Sequence, residues 1–305
     1  MQHIIELENV EFSYKDKKVL KGITLSIPEG KIFGFLGPNG AGKTTTIRII
    51  NAILPAENGK VKISGKDVYE NATFVHTISG VLTETASLYK NLSGKDNILF
   101  FASLRGLNKS FLNSNLNWIE NRLELSSFWN KKVKDMSTGM KKRIALAIAL
   151  IHKPLLIFLD EPTTGLDPET TSMVKELIKE LVKEIGSTVF LSTHLLKEAE
   201  EICDIFGLLR EGKLIASGTL DDLIKKFPDS LYLKIRGIKP ESLGIKVNEI
   251  EKNLFYLYPE NKNKIDEFVA DCIHKWVVNG GKIYEAKIEH WNLEKIYFSF
   301  NKDNV

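Results

Sequence analysis

Cysteine is almost absent from this chain. There are 2 in 305 residues, Cys203 and Cys272, far apart and each inside an apolar, regularly patterned segment. That excludes a disulfide-stapled scaffold and suits a reducing compartment, with both thiols acting as small buried hydrophobes. An excess of one charge is also missing. With 42 basic and 39 acidic residues the formal net charge is +3, which gives no electrostatic case for a nucleic-acid partner. Long hydrophobic runs are missing too. The longest, Ile144–Ile151 and Leu155–Leu159, are split by His152-Lys153-Pro154, and a membrane span needs about 20 apolar residues. Met1-Gln2-His3 runs straight into the strand-like Ile4-Ile5-Glu6-Leu7, so no signal peptide is expected. Internal repeats and low-complexity tracts are absent. What is present is a globular composition, 43% hydrophobic and 27% charged, long enough for two folding units.

The most informative stretch is Gly37-Pro38-Asn39-Gly40-Ala41-Gly42-Lys43-Thr44, which fills the G-x-x-x-x-G-K-[ST] pattern of a phosphate-binding loop. Its glycines permit positive φ and close approach, so successive backbone N–H groups can ring a phosphate. Lys43 brings a point charge to the outer phosphates, and the Thr44 hydroxyl is placed to ligate a bridging Mg²⁺. The context fits. Lys31–Leu36 is strand-like before the loop, and Thr45-Thr46-Ile47-Arg48-Ile49-Ile50 opens a helix whose N-terminus faces the anion.

Around this loop the pattern reads as α/β. Strands are expected over the first thirty residues or so, ending at Pro28-Glu29-Gly30, and again around 59–65. A helical insert is expected near 90–150. Leu155-Leu156-Ile157-Phe158-Leu159 suits a strand buried on both faces of a parallel sheet. Glu169–Ile185, Thr188–Leu191 and Lys197–Cys203 then read as helix, strand and helix. Composition shifts near Gly218-Thr219-Leu220. Beyond it, Leu231, Leu233 and Ile235 alternate with polar neighbours, as do Tyr284, Ala286 and Ile288. Residues 262–278 carry the stripe of an amphipathic helix, and Leu293, Ile296, Tyr297 and Phe300 form a closing helical face. The tail is a small α+β appendage.

Two acids follow the buried strand. Asp160 stands where a strand-end carboxylate reaches the Mg²⁺ held by Thr44. Glu161, one residue on and aimed differently, can orient or deprotonate a water. With these residues the chain, over about 1–220, resembles the nucleotide-binding subunit of an ATP-binding cassette (ABC) transporter. Met136-Ser137-Thr138-Gly139-Met140 is similar to the family signature, which closes over the ATP of the opposite subunit. Alone, Ser137-Thr138-Gly139 would read as a helix cap. Thr164-Gly165-Leu166-Asp167 resembles the D-loop, His194 the switch histidine at the γ-phosphate, and Tyr14 the aromatic that stacks on adenine. Two departures stand out. Thr138 and Met140 replace the usual glycine and glutamine, so only Ser137 and Gly139 carry over. Glu84 stands at the Q-loop glutamine, adding negative charge near Mg²⁺. Both resemble the ABC-2 class, whose ATPase and permease are separate chains.

The resemblance implies a P-loop cassette with an antiparallel β subdomain and a helical subdomain at about 85–150, followed by an accessory domain over 221–305. It implies ATP and Mg²⁺ as cofactors, with ATP held by Tyr14, residues 37–44 and Thr45. Thr44, Asp160 and Glu84 lie toward the metal, and Glu161, His194 and Lys43 toward the chemistry. It implies two partners: a second copy across an ATP sandwich and an integral membrane permease that the chain powers, for export of a drug, peptide, lipid or similar cargo. The chain would then sit peripherally on the cytoplasmic face of the membrane. The permease is expected on Leu88–Phe101, through Leu88, Tyr89, Leu92, Ile98, Leu99, Phe100 and Phe101. The rival class is a soluble ABC-type ATPase acting on ribosome or DNA, but such members carry two cassettes or a long coiled coil, and neither is present. A binding module with an inactive site is opposed by intact Lys43, Asp160, Glu161 and His194.

Overall fold

The computed structural model describes residues 3–84, 87–227, 230–261 and 264–300. Residue 85, the expected start of the helical subdomain, and residues 262 and 263, the expected start of the amphipathic helix, lie outside the described set. The chain divides into two units, Met1–Thr219 and Leu220–Val305.

In the first unit the order is β1 (His3–Tyr14), β2 (Lys17–Pro28), β3 (Ile32–Leu36), α1 (Lys43–Ile50), β4 (Asn58–Ile63), β5 (Lys66–Asp67), α2 (Ala72–Ile78) and β6 (Ser79–Leu82). Then come α3 (Gly94–Leu104), α4 (Lys109–Arg122), α5 (Thr138–Leu150), β7 (Leu156–Asp160), α6 (Pro168–Glu180), β8 (Thr188–Thr193), α7 (Leu196–Ile202), β9 (Ile205–Arg210) and β10 (Lys213–Gly218). One sheet has the order β2-β1-β4-β5 and the other β10-β9-β3-β8-β7-β6. The second is parallel from β9 to β6, with β10 antiparallel at one edge.

Every residue of β3, β7 and β8 is buried. This is why these strands read as continuous apolar runs rather than alternating ones. Their two faces serve different cores. Phe33, Phe35, Phe158 and Phe190 point to one side, with ring centroids 5.3 to 6.3 Å apart, and pack with α1 and the antiparallel sheet. Ile157, Leu159, Val189 and Leu191 point to the other, into the core shared with α3, α5 and α6. Truncating one such phenylalanine to alanine typically costs about 3–5 kcal/mol. Leu155, expected inside the buried strand, precedes β7 and is 49% exposed. The helix expected over 169–185 is regular only to Glu180 and closes with a π turn over Leu181–Ile185.

The insert between β6 and β7 is built on α3, α4 and α5. Ser93, Asn108 and Ser137 cap these helices by accepting the N–H of Asp96, Phe111 and Met140, which satisfies donors the helices leave open.

The second unit contains α8 (Leu220–Ile224), β11 (Leu231–Ile238), β12 (Asn248–Glu251), β13 (Leu254–Leu257), α9 (Ile265–Val278), β14 (Lys282–His290) and α10 (Leu293–Ser299). Its antiparallel sheet runs β12-β13-β11-β14. Leu233, Ile235, Phe255 and Leu257 meet Cys272 and Trp276 of α9 to form the core. The apolar face of β14 departs from the usual inward orientation: Tyr284 and Ile288 are 60% and 40% exposed.

Both cysteines are shielded, Cys272 fully and Cys203 in part. Burial pushes the Cys272 thiol up to about 11 and the Cys203 thiol further still.

His152, between α5 and β7, ties the insert to the sheet by donating from Nε2 to the Ser79 carbonyl at 3.0 Å. Burial, helped by the charge of Arg105 and opposed by that hydrogen bond, lowers its pKa to about 4. The unfolded chain takes up this proton first as pH falls below about 6.5. Stability from neutral His152 is therefore full above that value and lost as pH drops toward 4. Between pH 7.5 and 5, the melting temperature of the wild type should fall further than that of His152→Gln. Parallel curves in the two proteins would remove His152 from this role.

Candidate functional site

The site lies where β3, β7 and β8 end together. Register pairs Leu36 with Thr193 and Asp160 with Ser192, so the residues leaving these strands converge. Residues 37–42 turn from β3 into α1. Gly42 caps α1 at φ +111°, and a Cβ there would meet Leu20 Cδ2 at 2.6 Å. Only glycine fits both demands.

Lys43 opens α1 and is 6% exposed. Its Nζ donates to the Gly37 and Pro38 carbonyls at 2.8 and 3.3 Å and lies 3.3 Å from Glu161 Oε1. Thr44 Oγ1 donates to Asp160 Oδ2 at 2.6 Å, and Ser192 takes the other carboxylate oxygen.

Glu161 is the most heavily engaged side chain. Thr164 and Thr193 each donate a hydroxyl to its Oε2 at 3.0 Å, and His194 Nδ1 donates to Oε1 at 3.0 Å. Burial pushes its carboxyl up. The His194 hydrogen bond, the Lys43 charge and the Thr164 hydroxyl outweigh this and hold it below the usual carboxylate range. Its backbone sits at φ +50°, a left-handed conformation that costs a non-glycine residue about 1–2 kcal/mol.

A cavity of about 460 Å³ opens in front of these groups. It is lined by Asn39, Gly40, Gly42, Lys43, Thr44, Thr45, Asp160, Glu161 and Glu84, with Tyr14, Lys17 and Val19 at one side. Other expected residues are placed elsewhere. Gly37, Pro38 and Ala41 do not line it, and their backbone groups are paired within the chain: the Gly37 N–H donates to Thr193 O at 3.3 Å and the Ala41 N–H to Pro38 O at 3.2 Å. His194 joins through Glu161 rather than by lining the cavity. Ser137 and Gly139 also lie outside it, at the start of α5; a Cβ on Gly139 would stand 3.7 Å from Leu166. Of the residues expected to form a docking surface, Ile98 is fully buried in the core. Tyr89, 51% exposed, packs edge-on against Phe100.

Sequence reasoning missed Lys142. Its side chain is 7% exposed on α5, and its Nζ donates to the main-chain oxygens of Glu161 and Thr164, the latter at 3.2 Å. Burial lowers its pKa while the charges of Glu161, Glu84 and Asp160 pull it up. A signal was available. Lys142 falls on the buried stripe of α5 with Leu146, Ala149 and Leu150, where a lysine must find partners. Here it holds the carbonyl of the strained residue.

A phosphate loop at the end of a parallel strand, a carboxylate on the loop's threonine and a second carboxylate beside it define a P-loop nucleotide-hydrolase site. Comparison with known proteins narrows the class. The family described as "ABC transporter" matches residues 20–164. The bacitracin transport ATP-binding protein BcrA of Enterococcus faecalis is 37% identical over 74% of this chain and 72% of its own. The linearmycin resistance ATP-binding protein LnrL of Bacillus subtilis (strain 168) is 31% identical over 95% and 92%. A solved "ATP binding subunit of ABC transporter" superposes with a TM-score of 0.69 at 29% identity, covering 73% of this chain and 93% of that one. The chain belongs to the ATP-binding subunits of ABC transporters, of the ABC-2 exporter type. It is an ATPase that works with a membrane permease.

Lys142→Met keeps the length of the side chain and removes its charge. Losing a charged hydrogen-bond donor is worth about 1.5–3 kcal/mol, so kcat for ATP hydrolysis should fall roughly 10- to 100-fold while KM for ATP holds. Lys142→Arg should recover part of the rate. A wild-type kcat in Lys142→Met would remove the residue from the reaction.

Proposed function

We propose that two copies of this chain close over two ATP molecules and drive a separate permease that exports a drug, peptide, lipid or similar cargo. The observation that carries the reading is the Lys43–Glu161–His194 cluster beside the Thr44–Asp160 pair. In this arrangement Glu161 stands as the anion for Lys43. When outer phosphates arrive, Lys43 turns to them and the carboxylate is released to align a water. The Lys43 and His194 contacts keep it ionised at rest, and release from Lys43 raises its basicity toward the proton it accepts. His194, hydrogen-bonded to the same oxygen, steadies the carboxylate and stands ready for the γ-phosphate. Tyr14 offers a ring for adenine, and Asn39, Gly40, Gly42 and Thr45 line the phosphate path. Ser137 and Gly139, outside their own cavity, are free to present a hydroxyl and an N–H to the ATP of the second copy.

Thr44 and Asp160 fit Mg²⁺. They offer two neighbouring hard oxygens, the small protein share that Mg²⁺ takes when phosphates and water complete its shell. Glu84, on the cavity wall, stands as a second carboxylate toward it. Bound there, the ion would neutralise phosphate charge.

Among the described residues no helix is long and apolar enough to cross a membrane, so attachment to the cytoplasmic face of the cell membrane would come through the permease. A groove of about 700 Å³ lined by His76, Phe101, Leu104, Arg105, Phe111 and His152 is the proposed seat, together with Tyr89 and Leu92. The names of the two relatives, one for bacitracin transport and one for linearmycin resistance, support the drug among these cargo classes.

Glu161→Gln should bind ATP with near-native affinity, hydrolyse it about 10²–10⁴-fold more slowly and elute as an ATP-dependent dimer. Wild-type turnover together with a monomeric elution profile would sink the assignment. Arg105→Glu should abolish co-purification with the permease and leave nucleotide affinity unchanged. Full co-purification would move the seat elsewhere.

A further inference from the structure

The second unit has an edge that its own fold leaves open. β14 ends the β12-β13-β11-β14 sheet and is nine residues long, free of proline and glycine. All of its residues are exposed except Ile283 and Glu289, which are half-buried. Proline, short length, lysines and bulges are among the usual protections of an edge strand; β14 lacks the first two and carries Lys282, Lys287 and one bulge. A bulge where the pairing jumps from Arg236–Glu285 to Gly237–Ile283 leaves Tyr284 as the extra residue and marks one end of the regular edge.

The residues along this edge complement themselves. In an antiparallel pairing of β14 with a second β14, residues opposite each other must share a face, so the two-fold axis must pass through a residue. An axis at Glu285 sets Glu285 against itself, and one at Lys287 opposes two lysines. An axis at Ala286, the midpoint of Lys282–His290, sets Glu285 opposite Lys287 twice. Unlike charges directly opposite each other add about 0.2–1 kcal/mol per pair. Ile288, 40% exposed in the single chain, would face the bulge of the other copy. The face-sharing residues of β11 extend the charge row: Arg236 Nε lies 3.5 Å from Glu285 Oε2, so Glu285 would lie between Arg236 of its own chain and Lys287 of the other.

We propose that two copies of this chain pair through β14, antiparallel about Ala286, joining the two four-stranded sheets into one of eight strands. The contact needs no nucleotide and is distinct from the ATP sandwich. It would keep two ATPase chains associated when their nucleotide sites are open. Its short ladder makes it a weak interface, suited to copies already brought together on a membrane.

The test is run on the full chain without nucleotide. Directly opposed antiparallel residues have Cα atoms about 4.5–5.5 Å apart, within disulfide reach. Ala286→Cys should therefore cross-link to a second copy under mild oxidation. Glu249→Cys, on the opposite edge strand β12, should not. By sedimentation, the wild type should show a monomer–dimer equilibrium. Lys287→Glu sets two carboxylates against each other and should weaken it at least tenfold. Glu285→Lys combined with Lys287→Glu returns unlike charges across the axis and should recover part of the dimer, because Arg236 and Glu289 then face like charges within each chain. A chain that is monomeric at every concentration, an Ala286→Cys variant that does not cross-link, or a Lys287→Glu variant with an unchanged equilibrium would each overturn the proposal. ATP-dependent dimerisation of Glu161→Gln tests the sandwich separately, so either contact can fail without the other.

Discussion

A buried ammonium needs an anion, and much of the first unit is arranged around that requirement. Lys43 and Glu161 have side chains 6% exposed and stand 3.3 Å apart. An ion pair withdrawn this far from water keeps its charges only when each is also hydrogen-bonded. The structure meets that condition on both sides, with the Gly37 and Pro38 carbonyls for Lys43 and with Thr164, Thr193 and His194 for Glu161. The left-handed backbone at Glu161 follows from it. One residue after Asp160, an extended chain would aim its side chain to the opposite face of the sheet. The positive φ and the Lys142 contact redirect it toward Lys43.

Parts of this were legible in advance for a physical reason. A phosphate loop makes demands on individual positions: freedom at Gly42, a cation at Lys43, a hydroxyl at Thr44. Those demands leave a contiguous signature. The strands buried on both faces are equally readable, because β3, β7 and β8 have no solvent side on which to place polar residues. The α/β class and the two-layer burial follow from that pattern.

What was not legible depends on neighbours distant in sequence. Lys142 looks like one of three consecutive basic residues, and only the approach of the Glu161 and Thr164 carbonyls makes it special. Ile98 resembles its apolar neighbours Leu99, Phe100 and Phe101 until helix packing decides which of them turns inward. Leu155 belongs to the apolar run by composition but lies just outside the sheet. Tyr284, Ala286 and Ile288 alternate as an inward face should. Their exposure arises because β14 has a neighbour on only one side, and alternation within a strand says nothing about how many neighbours it will have.

The parallel sheet has a direction, and it divides the molecule into two rims with different tolerances. Leu36, Asp160 and Thr193 all deliver the chain to the rim where the phosphate loop, Glu161 and His194 lie. The opposite rim, where β3, β7, β8 and β9 begin, supplies none of the residues that line the cavity. It is laced instead by Ser187 Oγ donating to Pro154 O at 2.7 Å, Gly30 N to Thr188 Oγ1 at 2.8 Å and Ile32 N to Asp204 Oδ2 at 2.8 Å. A substitution on the first rim is felt as altered turnover, one on the second as altered melting. For anyone wishing to reroute the polypeptide by opening new termini or splicing in a reporter, the second rim is where the incision does least harm to catalysis, provided those three ties are left uncut.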